Sequence, residues 1–136
     1  MLFRSPAIKV PATIPTKLVV TELRAGKGPK AANGDTVDVH YMGVLTKNGQ
    51  QFDNSYDRKQ SFKLVLGAGN VIKGWDQGLV GVQAGGRYQL DIPADLAYGA
   101  SGQGSIGPNE ALTFVIDVMA VIPATPTATS VPTATT

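Results

Sequence analysis

Asn70-Val-Ile-Lys-Gly-Trp-Asp-Gln-Gly-Leu-Val-Gly81 is the one stretch of this chain that abandons a two-residue rhythm. Val71, Ile72, Trp75, Leu79 and Val80 recur at three- and four-residue intervals, the spacing of a single apolar helix face. Asn70 is placed to cap this helix and Gly81 to end it, which predicts about two turns with Trp75 on the buried side. Around it the pattern is that of strands. Lys17 to Leu23 reads as a strand closed by the turn Gly26-Lys-Gly-Pro29. After the Asn33-Gly-Asp35 turn, Val37, Val39 and Tyr41 alternate with Asp38 and His40. A shorter strand follows the Lys47-Asn-Gly49 turn, from Gln51 to Asn54. Phe62, Leu64 and Leu66 alternate, as do Tyr88, Leu90 and Ile92 after Gly85-Gly86, and Leu112 to Ile122 is the most apolar strand and so the central one. The expected class is α+β: an antiparallel, strongly twisted sheet of about five strands wrapping one short helix.

The two ends differ from this middle. Residues 1–16, with Pro6, Pro11 and Pro15, read as a loosely held arm, and 17–122 as the folded domain. Residues 123–136 form an uncharged Pro/Thr/Ala tail that lacks the apolar surface to offset its own ordering entropy. The start has no 7–15-residue apolar segment, which reads as cytoplasmic if the N-terminus is complete. Tails of this composition often join extracytoplasmic domains, so the compartment stays open.

Composition narrows the chemistry. Among 136 residues, 12 Lys plus Arg face 10 Asp plus Glu, a net charge of +2 with no basic run to follow a phosphate backbone, so nucleic acid is not an expected partner. No stretch approaches the roughly 18 apolar residues of a membrane span. Cysteine is absent, which removes thiol catalysis, disulfides and Cys-based zinc sites. The single histidine, His40, lies on the polar face of its strand, where solvation is its ordinary fate, and one imidazole cannot make a two-His metal site. There is no Gly-x-Ser-x-Gly elbow, and Gly67-Ala-Gly69 with Gly74 matches neither nucleotide-loop spacing. No metal and no cofactor is expected.

What remains is a set of aromatic residues spread over strands, helix and loop: Tyr41, Phe52, Phe62, Trp75, Tyr88, Tyr98 and Phe114. Taken singly, each is an ordinary core residue. Together with their neighbours they suggest a pocket. Asp53 follows Phe52 directly and precedes Arg58 by five residues, placing a charged pair beside an aromatic wall. Ala97-Tyr98-Gly99 opens the Gly/Ser-rich stretch to Gly107, too small in its side chains for core, which reads as a flap beside a phenol.

At these residues the chain resembles the FKBP-type peptidyl-prolyl cis/trans isomerases, the macrolide-binding immunophilins. The resemblance runs from Lys17 to Ile122 and is carried by five ordered blocks. They are Val39-His-Tyr-Met-Gly-Val-Leu45, Gln51-Phe-Asp-Asn-Ser55, Phe62-Lys-Leu-Val-Leu-Gly67, Val71-Ile-Lys-Gly-Trp-Asp-Gln-Gly-Leu79 and Ile92-Pro-Ala-Asp-Leu-Ala-Tyr-Gly99. It implies a proline pocket built from Tyr41, Phe52, Asp53, Phe62, Val71, Ile72, Trp75, Tyr98, Ile106 and Phe114, with Arg58 beside Asp53 and Tyr41. It further implies Trp75 as the floor, ligand hydrogen bonds from the Ile72 N–H and the Tyr98 hydroxyl, and catalytic parts for Asp53, Trp75, Tyr98 and Phe114. Two departures accompany it: the flap before Pro108 is one residue shorter than in well-known members, with Gly107-Pro108 where Pro-Pro is common, and Gln103 stands where some members carry His or an aromatic residue. The implied activity is rotation about Xaa-Pro bonds in polypeptides, with macrolides such as rapamycin as ligands and a monomeric state. The alternative is a non-catalytic module that holds proline peptides or acts as a chaperone, and a further reading docks the tail in the chain's own pocket.

Overall fold

The computed structural model describes residues 10, 11, 13–69, 71–102, 104 and 106–123. Asn70, Gln103, most of the N-terminal arm and all of the tail beyond Pro123 therefore lie outside the described residues. The chain runs β1 (Val19–Arg24), β2 (Thr36–Leu45), β3 (Gln51–Asn54), α1 (Ser55–Arg58), β4 (Phe62–Val65), α2 (Lys73–Gly78), β5 (Arg87–Ile92), a 3-10 turn (Ala94–Leu96) and β6 (Leu112–Ile122).

All pairings are antiparallel, in the order β1-β5-β6-β2-β3, with β4 also on β2. The apolar strand β6 is central, as its composition requires: Leu112 to Val118 are all buried between two neighbours. Six strands occupy five lateral positions. On the outer edge of β2, β3 lies opposite Met42–Val44 and β4 opposite Thr36–Val39. They are two halves of one edge position, parted by the excursion through α1. That excursion has a local cause. Asn54 accepts the N–H groups of Tyr56 and Asp57 on its side chain, and Lys59 ends the turn in the left-handed region at φ 54°.

Helix α2 is six residues, Lys73 to Gly78, close to the two turns expected, but its N-cap is Ile72 and its C-cap Leu79. Two glycines explain how so short a helix is held. A Cβ on Gly74 would come within 2.5 Å of Ile92, and one on Gly78 within 2.9 Å of Leu90. The helix backbone thus lies directly on β5, and packing, not helix propensity, stabilises it. Trp75 and Leu79 point into the core with Val37, Val39, Leu64, Leu66, Ile116 and Val118, while Val80, beyond the last turn, is exposed.

The opposite face carries a row the sequence reading passed over. Arg24, Arg87, Asp117 and His40 are successive register partners across β1, β5, β6 and β2. Asp117 is buried, accepting from Arg87 Nε at 2.7 Å, from Arg24 Nη2 at 3.3 Å and from the Tyr56 hydroxyl of α1. Burial, then the Asp117 hydrogen bond, push the Tyr56 phenol well above its ordinary range. His40 is half-buried and stacked on Tyr56, ring centroids 5.0 Å apart, so it is not the solvated side chain that alternation suggested. Among the described residues, no helix is long and apolar enough to cross a membrane.

Candidate active site

Tyr41 on β2 and Phe114 on β6 project from the sheet toward Trp75 on α2, with Phe62 from β4 beside them. Around the indole the rings of Tyr41, Phe114 and Phe62 stand at 87°, 83° and 68°, with centroids 5.0, 5.2 and 6.0 Å away. Edge-to-face contacts of this kind suit the quadrupoles of the rings and fix their planes. They leave an open cup of about 180 Å³, completed by Phe52, Asp53, Val71, Ile72 and Tyr98. Gly43 makes the close approach possible: a Cβ there would sit 2.7 Å from both Phe52 and Phe114.

Nine of the eleven expected site residues line this cup. Arg58 stands behind it, at the polar rim. Ile106 is buried in the same core cluster as Tyr41, Trp75 and Phe114 but is not among the residues lining the cavity. The Trp75 indole N–H is a buried donor with no partner among the described residues. Ile72 contributes its carbonyl to α2, accepting from Trp75 N at 3.0 Å and Asp76 N at 3.2 Å. The flap is tied back at its base, with Gly102 N donating to the Tyr98 carbonyl and Asn109 N to that of Gly99, where φ is 60°.

The rim is a closed hydrogen-bond set. The Tyr41 hydroxyl donates to Asp53 Oδ2 at 2.5 Å and accepts from Arg58 Nη2 at 3.0 Å. Asp53 Oδ1 accepts from Arg58 Nη1 and from Asn54 N at 2.9 Å. Burial works against the charged form of Asp53, but the bonds from Tyr41 and Arg58 outweigh it and hold its carboxyl below the usual carboxylate value. Burial, then the bond to Asp53, push the Tyr41 phenol up to about 12. Burial, then the charge of Asp53, raise Tyr98 as well. At neutral pH the cup therefore presents two neutral phenols and a carboxylate already neutralised by Arg58. Among the described residues, the lining of the cup includes no serine, lysine or histidine. Among the described residues, no three His, Asp or Glu side chains converge as a metal site.

The model for FKBP-type peptidyl-prolyl cis-trans isomerases matches residues 28–119, which span β2 to β5, most of β6 and all of the cup. The chain belongs to that family. Relatives agree: the FK506-binding protein of Streptomyces anulatus is 49% identical over 109 residues, covering 79% of this chain and 88% of that protein. The crystal structure of AtFKBP13 superposes with a TM-score of 0.71 at 37% identity, covering 79% and 95% of the two chains. That of FkpA from Escherichia coli gives 0.73 at 40% identity over 86% of this chain, which spans about half of FkpA. The isomerase class and the antiparallel sheet over a short helix are thus those implied by the five sequence blocks. The sequence reading had not singled out Gly43, a glycine inside an alternating strand, nor Ser55, whose burial no local pattern announces.

Proposed function

We propose that this isomerase binds the pyrrolidine ring of an Xaa-Pro segment in the aromatic cup and lowers the barrier to rotation of the preceding amide. The observation that carries the reading is the set of three rings standing edge-to-face around Trp75 and lining an open cup. The uncatalysed barrier of about 18–20 kcal/mol arises from amide resonance. Twisting the bond cancels that resonance and returns electron density from oxygen to nitrogen, so the twisted state is less dipolar than either planar isomer. A water-poor aromatic surface favours the less dipolar state, and only such differential stabilisation raises the rate. About 7 kcal/mol would accelerate rotation about 10⁵-fold.

In this mechanism Trp75, Phe114 and Phe62 grip the ring while the acyl side turns. The Tyr98 hydroxyl and the Ile72 N–H anchor substrate carbonyls. Tyr98 suits this because it lines the cup and its phenol, raised further by burial, is protonated and able to donate at neutral pH. Asp53 is not a base, since both of its oxygens are engaged. Its field acts on the amide dipole as it rotates, and its bonds hold Tyr41 and Arg58 in place. A macrolide such as FK506 or rapamycin competes by placing one ring in the cup.

The test is cis-to-trans isomerisation of a Leu-Pro or Phe-Pro peptide, with and without rapamycin. Catalysis that the macrolide blocks supports the reading. A folded chain that binds rapamycin and leaves the uncatalysed rate unchanged overturns it in favour of a binding module.

A further inference from the structure

The break in the edge of β2 falls at His40 and Tyr41, which have neither β3 nor β4 beside them. One hydroxyl fills the gap. Ser55 Oγ accepts the Tyr41 N–H at 2.6 Å and donates to the Tyr41 carbonyl at 3.2 Å, doing the work of a missing strand partner. Ser55 is fully buried, at the point where β3, carrying Phe52 and Asp53, turns into α1, carrying Arg58. The same atom therefore ties the strand of Tyr41 to the segment bearing both partners of the Tyr41 hydroxyl.

A third neighbour decides how this hydroxyl is oriented. His40 Nδ1 lies 2.9 Å from Ser55 Oγ, in a ring plane fixed by its stacking on Tyr56. A serine hydroxyl has one hydrogen and two lone pairs. The Tyr41 N–H occupies one lone pair and the Tyr41 carbonyl takes the hydrogen, so the second lone pair is what remains for His40. All three contacts are satisfied only when Nδ1 itself carries a hydrogen. With the hydrogen on Nε2 alone, Nδ1 and the Tyr41 carbonyl would compete for a single proton, and one of these two acceptors would lose its contact with Ser55.

We propose that Ser55, oriented by an Nδ1–H of His40, is a positioning residue for the isomerase, fixing the Tyr41–Asp53–Arg58 set at the rim of the cup. The proposal rests on the isomerase reading for its effect on turnover, but its geometry can be read without turnover. His40 is the only histidine in the chain, so a long-range proton–nitrogen NMR spectrum at about pH 8, above the ordinary range of histidine, reports one imidazole. A hydrogen on Nδ1 is expected, and an imidazole protonated on Nε2 alone overturns the proposal in the unaltered chain. Kinetics then test the consequence. His40→Phe keeps a ring against Tyr56 but has no donor, and should lower kcat/KM about fivefold, the factor for one neutral hydrogen bond. His40→Asn, whose amide nitrogen can reach the Nδ1 position, should restore most of that loss. Equal activity in the two variants, high or low, counts against the proposal. Ser55→Ala should cost activity in the unaltered chain and add nothing in an Asp53→Asn background, whereas additive losses would mark Ser55 as merely structural. An unaltered chain without catalysis refutes the isomerase reading itself, and the NMR result still decides the hydroxyl geometry.

Discussion

Gly43→Ala tests the cup through its backbone without removing any ring. Gly43 sits on β2 opposite Phe114 of β6 and Asp53 of β3, and its missing side chain is the space into which Phe52 and Phe114 converge. A methyl carbon there would be 2.7 Å from Phe114 Cε2 and from Phe52 Cζ. Carbon atoms rest about 3.5–4.0 Å apart, so each ring must retreat by roughly 1 Å. Phe52 is only partly buried and can swing outward. Phe114 is backed by Trp75 and Tyr41, with centroids 5.2 and 6.2 Å away, so its retreat disturbs the cup. Overpacking costs about 1–3 kcal/mol. Replacing glycine inside a strand returns about 0.5–1 kcal/mol of that, which leaves a net destabilisation near 1 kcal/mol. Catalysis should suffer more, because a misplacement of about 1 Å at a reacting centre is worth up to about 10²-fold. We expect kcat/KM for a prolyl peptide to fall by about 10- to 100-fold, with urea unfolding shifted only slightly. Wild-type kcat/KM in the folded variant, or a loss no larger than the unfolded fraction, would refute the reasoning.

Asp53→Ala should lower catalytic efficiency more than stability, and full activity in the folded variant would remove any role for the carboxylate. Because the folded state holds the Asp53 carboxyl below its ordinary value, its contribution to stability is present above about pH 4 and lost as the pH falls through the lower folded value. The acid limb of a pH–stability curve should therefore be flatter in Asp53→Asn, and identical acid limbs would contradict it. Trp75→Leu and Phe114→Ala should each cut isomerase activity without abolishing the fold seen by circular dichroism, and activity retained in both would sink the pocket assignment. In an ultraviolet titration, Tyr41, Tyr56 and Tyr98 should ionise above the ordinary phenol value. Folding favours the protonated Tyr41, so its stabilisation is complete below about pH 10 and lost as the pH rises toward about 12. A single ionisation of all the tyrosines near pH 10 would exclude this.

Alternation made the strands legible because one face of each is buried and a one-residue slip would reverse every side chain. Trp75 was legible for a related reason, since its three- and four-residue spacing with Ile72 and Leu79 has no other use. What failed to show was set by contacts between distant segments. The seating of α2 is set by Gly74 and Gly78 lying on Ile92 and Leu90, a fact about β5 that local spacing does not contain. Helix α1 is a single turn, too short to display a period, and its cap is an asparagine that reads equally as a strand end. Asp117 looks like an isolated acid in an apolar strand until β1 and β5 bring Arg24 and Arg87 alongside it. Ile106 follows the blocks of the resemblance in sequence yet is buried in the core, a placement that local sequence does not announce.

The interrupted edge of β2 joins these observations. A continuous edge strand from Gln51 to Val65 would pair with all of β2 and leave no reason for a polar group near Tyr41. Breaking it at Asn54 sends Arg58 back toward Asp53 and exposes the Tyr41 backbone, which Ser55 then satisfies. It also separates Phe52 on β3 from Phe62 on β4, and Phe62 then stands at the Trp75 side of the cup while Phe52 leans on Phe114. One local defect in the ladder thus parts two of the rings that line the cup, Phe52 and Phe62, and brings together the groups of its polar rim. In the proposed mechanism the barrier responds both to the aromatic surroundings of the amide and to the polar rim that fixes them.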